Sequence, residues 1–384
     1  MKCIIYTALF FLPSANLYCQ QPAKSIDALL RTYYKATEPG AVVLISKNQQ
    51  VVFKKSYGVA SLTGMKKLNS STLFNIGSLT KQFTAFCIVQ LAERKKCSLQ
   101  DKLIQYFPDF NPRTGRLITL QQLLTHSSGI IDHYAFTDTS MVKHATNKEV
   151  LLAVKNIDST YFIPGTQYRY SNTAYCLLAL IIEKISGMPF NEYVKKTIFD
   201  PLSMQHSVEL QTEKSIPNSA FGYEFDSSKN SFRKLDAAES IFFSTEGDGG
   251  IYTSAEEYLR WWQSLQQPVP ANKRVIAKAR SSQFSIDALQ RLWYGYGWFV
   301  SKKDSSTAVY HTGSNGGFRA IVFTIPSKQY MVVIFSNRTG IDLEKMVKQI
   351  NDILHVTNNS FTKTASLVSF INTSPIFAPC KEII

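Results

Sequence analysis

β-forming runs lie near both ends of this 384-residue chain, and a long stretch of helical periodicity separates them. Near the start, residues 41–46 and 51–59 are rich in Val, Ile and Leu and are joined by the polar Lys47-Asn48-Gln49-Gln50, a hairpin signal. The pattern returns at 294–300, 308–311, 318–325 and 330–335, and amphipathic helices are predicted over 25–37 and about 341–354. From about 78 to 290 the apolar spacing is mostly helical, broken by loops such as the one marked by Pro164-Gly165. Strands at both ends with helices between them argue for one sheet assembled from the two chain ends. The prediction is an α+β fold: an antiparallel β-sheet built from both chain ends and flanked by helices, with an inserted all-helical lobe and a cleft where the two meet. The sheet lobe is expected over about 25–75 and 291–356 and the helical lobe over about 76–290, within one unit of 20–356. The tail 357–384 is left unassigned, and no internal repeat is found.

Residues 3–12 form a run that is apolar except for Thr7, preceded by Lys2 and ended by Pro13. A permanent membrane span needs about 20 apolar residues, so this shorter run reads as a secretory signal peptide over residues 1–19. A lipidated Cys19 is the weaker alternative, because Tyr18 stands where lipidation signals place a small residue. No later segment reaches spanning length, so the expectation is an exported protein, periplasmic or extracellular, with no stable membrane span after cleavage.

The 42 Lys and Arg outnumber the 28 Asp and Glu, for a net charge of +14, which raises nucleic acid as a partner. Only 18% of residues are charged, however, and basic runs such as Arg94-Lys95-Lys96 are short, so no nucleic-acid binding is expected. The diffuse charge suits anionic surroundings such as lipid head groups or cell-wall carboxylates. Removal of 1–19 leaves Cys87, Cys97, Cys176 and Cys380, too few for a disulfide framework. The six histidines show no His-Glu-x-x-His or His-x-His spacing, and no Gly-x-x-x-x-Gly-Lys-Ser/Thr loop occurs. Neither a metal nor another cofactor is expected.

A Ser-x-x-Lys pair can serve as nucleophile and base, because residues three apart on a helix share a face. Four such pairs occur: Ser78/Lys81, Ser140/Lys143, Ser231/Lys234 and Ser360/Lys363. Ser231 and Ser360 lie in polar stretches. Ser78 alone follows a glycine and opens an apolar run, 79–92, in which Leu79, Phe83, Phe86, Ile88, Val89 and Leu91 leave little polar surface. Such a helix is buried and would carry Lys81 inside. Desolvation and the positive end of the helix dipole both disfavour the ammonium there, and a neutral amine can accept a serine proton. The competing reading is that Ser78 caps the helix and Lys81 reaches out to water. Tyr170-Ser171-Asn172 is the only Tyr-x-Asn among 19 tyrosines and precedes an apolar helix over 173–185. His311-Thr312-Gly313 ends a β-pattern just before Ser314-Asn315-Gly316-Gly317. Taken singly, these read equally well as a turn, a cap and a strand end.

In that order, Ser78-x-x-Lys81, Tyr170-x-Asn172 and His311-Thr312-Gly313 resemble the three active-site motifs of the serine β-lactamase and penicillin-binding-protein superfamily. They are most similar to its class C-type branch, which includes β-lactamases, D,D-peptidases, D-amino-acid peptidases and esterases. The stretches FNIGSLTK (74–81), LLTHSSG (123–129) and GDGGIYTS (247–254) are also similar, and the resemblance covers about residues 25–355. It implies a β-lactamase/transpeptidase-like fold and a serine hydrolase. Ser78 would attack an acyl carbonyl, Lys81 and Tyr170 would move the proton as a coupled pair, and Asn172 would bond the lysine or the substrate amide. The backbone N–H groups of Ser78 and Ser314 would form the oxyanion hole, with His311, Thr312 and Gly313 at the substrate site.

The β-lactamases of the resembled family usually have lysine where this chain has His311, whereas its esterases and D-amino-acid peptide hydrolases occur with histidine there. Histidine, with a reference pKa near 6.5, is mostly neutral at pH 7 and offers no fixed cation to a substrate carboxylate. The expectation therefore moves from a β-lactam toward an ester or a D-amino-acid peptide. The alternatives are a β-lactamase and a non-catalytic protein that holds peptidoglycan or penicillin in the same cleft. His126 is expected to be structural, and His133 to be either a pocket residue or an ordinary loop histidine.

Overall fold

In a computed structural model of the chain, residues 15–136, 145–209, 216–235, 244–303 and 305–356 are described. The predicted signal segment before residue 15, the tail with Cys380, and the pairs Ser140/Lys143 and Ser360/Lys363 lie outside the described residues. The five longest described helices are α1 (Ala15–Tyr33), α2 (Thr80–Glu93), α3 (Asn172–Ser186), α4 (Ala255–Gln266) and α5 (Leu343–Ile353). The principal sheet has eight strands: β1 (Ala41–Lys47), β2 (Gln50–Tyr57), β3 (Phe284–Asp287), β4 (Leu292–Tyr294), β5 (Phe299–Ser301), β6 (Ala308–Asn315), β7 (Phe318–Ile325) and β8 (Tyr330–Ser336).

These strands lie in the order β3-β4-β5-β6-β7-β8-β1-β2, every neighbour antiparallel. The two chain ends meet at β1 and β8, where Ala41 faces Ser336 and Lys47 faces Tyr330. Antiparallel strands often alternate apolar and polar residues, because one face meets water. Here six of the seven residues of β1 and all seven of β8 are buried, since both faces are covered. On one face Val43, Ile45, Phe323, Val332 and Ile334 pack with Ile26 and Leu30 of α1 and with Met346, Val347 and Ile350 of α5. On the other, Val42, Leu44, Val322, Val333 and Phe335 join Phe83 of α2 and Tyr258 and Trp261 of α4. The Phe83 and Trp261 rings stack with centroids 4.8 Å apart.

Apolar residues all round α2 place it between the sheet and the other helices, as a helix with no polar face requires. It is buried without interruption from Thr80 to Leu91, Lys81 and Gln82 included. Among the described residues no single helix is long and apolar enough to cross a membrane.

Several elements differ from the sequence reading in detail. The first helix occupies Ala15–Tyr33, continuing through Pro22, and ends early at a turn closed by the Glu38 N–H on the Lys35 carbonyl. The predicted strand at 294–300 is a hairpin: Gly295 N–H donates to the Trp298 carbonyl at 2.8 Å, and Gly297 has φ +76°. A Cβ on Gly297 would lie 2.6 Å from the Lys81 carbonyl, so glycine lets this turn touch α2. β3 lies inside the stretch read as helical; four residues are too few for a period to show. The helical lobe also carries short strands, among them Phe74–Asn75, Val208–Glu209 and Ile251–Thr253 in one small sheet.

One asymmetry of the sheet positions the site. β7 pairs with β6 from Val309 to Asn315, whereas β5 pairs only with Ala308, Val309 and Tyr310. From His311 onward, the β5 side of β6 has no strand partner among the described residues, and the turn that precedes α2 packs against this same stretch.

Candidate active site

Ser78 lies in a 3-10 turn, Gly77–Leu79, immediately before α2. Neither this turn nor α2 has a side-chain cap, and the Ser78 hydroxyl instead accepts a hydrogen bond from Lys81 Nζ at 3.1 Å. The capping reading of Ser78 therefore fails. The turn is pressed onto β6 at two glycines. A Cβ on Gly77, which has φ +52°, would lie 2.7 Å from the Ser314 nitrogen; one on Gly313 would lie 2.0 Å from the Ile76 carbonyl oxygen. The missing Cβ atoms allow the Ser314 backbone nitrogen to stand beside the Ser78 turn.

Lys81 does not reach water: its exposure is 0%. Its three N–H bonds are all matched, by Ser78 Oγ at 3.1 Å, Asn172 Oδ1 at 2.7 Å and the Asp248 carbonyl at 2.7 Å. Nζ also sits 4.8 Å from the centre of the Tyr170 ring. Burial pushes the amine down to about 8, with Asp248 foremost among the neighbours that oppose the fall. Burial likewise pushes the Tyr170 phenol well above its usual 10, with the neighbouring Ser78 hydroxyl pulling the other way. The Tyr170 hydroxyl is enclosed and is not aligned on a hydrogen-bond partner among the described residues.

Asn172 is the first residue of α3, and its position follows from how that helix is capped. Ser171 Oγ accepts from Ala174 N at 3.2 Å, and Asp132 Oδ2 accepts from Asn172 N at 2.8 Å. These bonds satisfy N–H groups that a helix start leaves without partners. The Ser171 N–H donates to His126 Nδ1 at 3.1 Å, and the His126 ring lies 4.2 Å from that of Tyr170. His126 thus supports the Tyr170 loop from behind, in a structural position. His133 is buried against α3, its backbone N–H and Nδ1 both bonded to Thr173 Oγ1 at 2.7 and 2.9 Å.

His311 is also fully buried, with Nδ1 2.6 Å from the Thr312 carbonyl and Nε2 2.9 Å from the Tyr294 hydroxyl. A carbonyl only accepts, so Nδ1 carries the proton and Nε2 accepts from Tyr294. Burial pushes this imidazole down to about 3, with the Thr312 bond opposing and Lys81 adding to the fall. Position 311 therefore holds a neutral ring whose two nitrogens are both engaged within the protein.

The structure brings Ser78, Lys81, Tyr170, Asn172 and the His311–Ser314 strand together from three separate parts of the chain. Asp132, Asp248 and Tyr294 belong to the same neighbourhood and were not singled out from the sequence. Asp248 lay in the noted 247–254 stretch, but its contact with Lys81 spans 167 residues and leaves no local period. A polar cleft of about 750 Å³, lined by Lys95, Gln121, Lys278 and Tyr296 among others, lies at the far end of α2 and contains none of these groups. No cluster of three or more metal-ligating side chains is found among the described residues.

The chain resembles known proteins over most of its length. The Beta-lactamase family model matches residues 26–354. The chain is 29% identical over 336 residues to penicillin-binding protein 4* of Bacillus subtilis (strain 168), covering 83% of this chain and 72% of that protein. It is 27% identical over 356 residues to protein flp of Staphylococcus aureus (strain COL), covering 90% and 69% respectively. Among solved structures, the octameric penicillin-binding protein homologue from Pyrococcus abyssi superposes with a TM-score of 0.76 at 27% identity, covering 88% of this chain and 77% of that one. The penicillin binding protein from Bacillus halodurans shares the fold with a TM-score of 0.75 at 24% identity, covering 85% and 98%.

Two outcomes are expected from this geometry. Gly313→Ala should force β6 and the Ser78 turn apart and lower the urea midpoint of unfolding, with the far-UV circular dichroism spectrum retained. The second concerns acid. His311 stays neutral in the folded chain down to about pH 3, whereas an unfolded histidine protonates near 6.5. Below pH 6.5 the unfolded state therefore binds more protons, and stability falls as pH falls. The urea midpoint should decline between pH 6.5 and 4, and less steeply in His311→Gln.

Proposed function

The chain belongs to the Beta-lactamase family, and on that premise we propose that it is an exported serine hydrolase acting on an ester or amide through an acyl-Ser78 intermediate. One observation carries the proposal: the wholly buried Lys81 amine lies 3.1 Å from the Ser78 hydroxyl. Burial drives both members of the Lys81–Tyr170 pair toward their uncharged forms. With Lys81 near 8, about a tenth of the amine is unprotonated at pH 7, a population adequate for a general base.

The neutral amine takes the Ser78 proton as Oγ bonds to the acyl carbonyl carbon. The N–H groups of Ser78 and Ser314 receive the developing oxyanion, as the tight contact at Gly77 and Gly313 supports. Tyr170 protonates the leaving oxygen or nitrogen and regains its proton from Lys81. Water then adds to the acyl carbon, its proton passing to the same pair, and Ser78 is released. Asn172 orients the amine throughout through its 2.7 Å bond.

The substrate class follows from the neutral ring at His311. A carboxylate beside the scissile bond finds no cation at this position, which favours an uncharged acyl ester or a D-amino-acid peptide over a β-lactam. The second reading, a β-lactam or peptidoglycan-derived substrate, is supported by the names of relatives that are penicillin-binding proteins. Export to a periplasmic or extracellular setting rests on the apolar run at residues 3–12.

A panel of p-nitrophenyl acetate, nitrocefin and a peptide ending in D-Ala-D-Ala tests the reading. The ester should be turned over fastest, and Ser78→Ala should lose at least about 1,000-fold of that rate. Ester turnover undiminished in Ser78→Ala would contradict the mechanism, and nitrocefin turnover exceeding that of the ester would establish the second reading.

A further inference from the structure

We propose that Asp248 is a positioning residue for Lys81: its carbonyl fixes the amine in place, and its buried carboxylate sets the pH at which that amine loses its proton. The inference rests on the reading of Lys81 as the group that takes the Ser78 proton.

Every acceptor bonded to Lys81 Nζ is neutral: a hydroxyl, an amide oxygen and a backbone carbonyl. A buried ammonium without a bonded carboxylate depends on acids slightly farther away. The groups facing it are few. The Tyr170 and Tyr175 rings and the Cys176 thiol lie toward α3, Asp132 lies in the loop before it, and Asp248 lies in the glycine-rich loop at 247–250. His126 and His311 also feel the lysine charge, and burial keeps both neutral. Asp132 is committed elsewhere, its carboxylate bonded to the N–H groups of Asn172, Thr173 and Tyr134. Asp248 differs. It is 6% exposed, and its Oδ1 has no hydrogen-bond partner among the described residues. The group bonded to its carboxylate is the Cys176 thiol, which burial holds in its neutral form, so no positive charge on that side offsets the carboxylate beside the amine.

The loop that carries Asp248 is pinned to α2 on both sides of Lys81. Thr84 Oγ1 donates to the Gly247 carbonyl at 2.7 Å, and the Ile251 N–H donates to Thr80 Oγ1 at 3.2 Å. Asn147 closes two bonds on the Glu246 backbone, and Glu209 Oε1 accepts from Gly247 N. Gly247 has φ +83°, and a Cβ there would lie 2.7 Å from the Ala179 side chain. Asp248 therefore keeps a fixed position relative to Nζ. The acids behind it contribute less charge, because burial raises Glu209 well above its usual range and Glu246 to about 7.

A nearby negative charge favours the ammonium and so raises the lysine pKa. Asp248→Asn keeps the shape and the carbonyl but removes the charge, so Lys81 should become unprotonated at lower pH. The test measures the rate of Ser78 modification by a fluorophosphonate between pH 5 and 10, in the full chain and in Asp248→Asn. The acidic limb of the profile should move down by about one pH unit in the variant, and Asp248→Glu should restore it. A 15N-lysine NMR titration of the Lys81 signal, assigned by its loss in Lys81→Arg, should move in parallel. Should the Asn chain not fold, Asp248→Ser carries the same prediction. A limb and a titration midpoint that stay in place, or move to higher pH, would overturn the inference. A wild-type chain inert to the fluorophosphonate would instead refute the hydrolase reading, and the NMR titration would still decide the role of Asp248.

Discussion

A lysine amine kept entirely from water, yet bonded at all three of its N–H groups, is the constraint on which the rest of the site depends. Burying an ammonium costs several kcal/mol unless it is compensated or loses its proton. Here three neutral acceptors meet its geometry without supplying a full counter-charge, which holds the group between its two states. The arrangement needs α2 to be apolar on every side, so that Lys81 has no path to solvent. It also needs α3 to begin at Asn172 and the 247–250 loop to sit against α2. Removing any of these would give the amine another partner or an exit.

The sheet supplies the other half of the site. Because β1 and β8 pair across nearly the whole length of the chain, β6 lies in the middle of the sheet rather than at a frayed edge. Its last residues nonetheless keep one side free, since β5 stops at the partner of Tyr310. Glycines at 77 and 313 let the turn of the proposed nucleophile close onto the same stretch of β6. The same strand carries His311, whose ring is held neutral between Tyr294 and its own neighbouring carbonyl. The site consequently has one titrating amine and no fixed cation at the start of the third motif, and the proposed preference for uncharged substrates follows from this difference.

Much of this was legible before any coordinates. The long strands at both ends, the unbroken apolar face of α2 and the three spaced motifs are local patterns, and each persists where the sequence placed it. The parts that were not legible depend on distant contacts. Ser78 precedes the helix instead of opening it, because Gly77 and Gly313 draw the turn against β6. The single strand expected at 294–300 folds back at Gly295 and Gly297, where the backbone at Ala279 and α2, respectively, leave no room for side chains. Asp132 and Asp248 look like ordinary loop acids until α3 and α2 are packed beside them, and Tyr294 looks like a core aromatic until His311 meets it.

The central claim is that the buried amine of Lys81 activates Ser78. Peptide mapping by mass spectrometry after fluorophosphonate treatment tests it most directly, in the wild-type chain and in Lys81→Ala. The account predicts a phosphonyl adduct on the peptide containing Ser78 and its near-complete loss in Lys81→Ala. An adduct on another residue, or labelling of Ser78 that proceeds undiminished without the lysine, would contradict it.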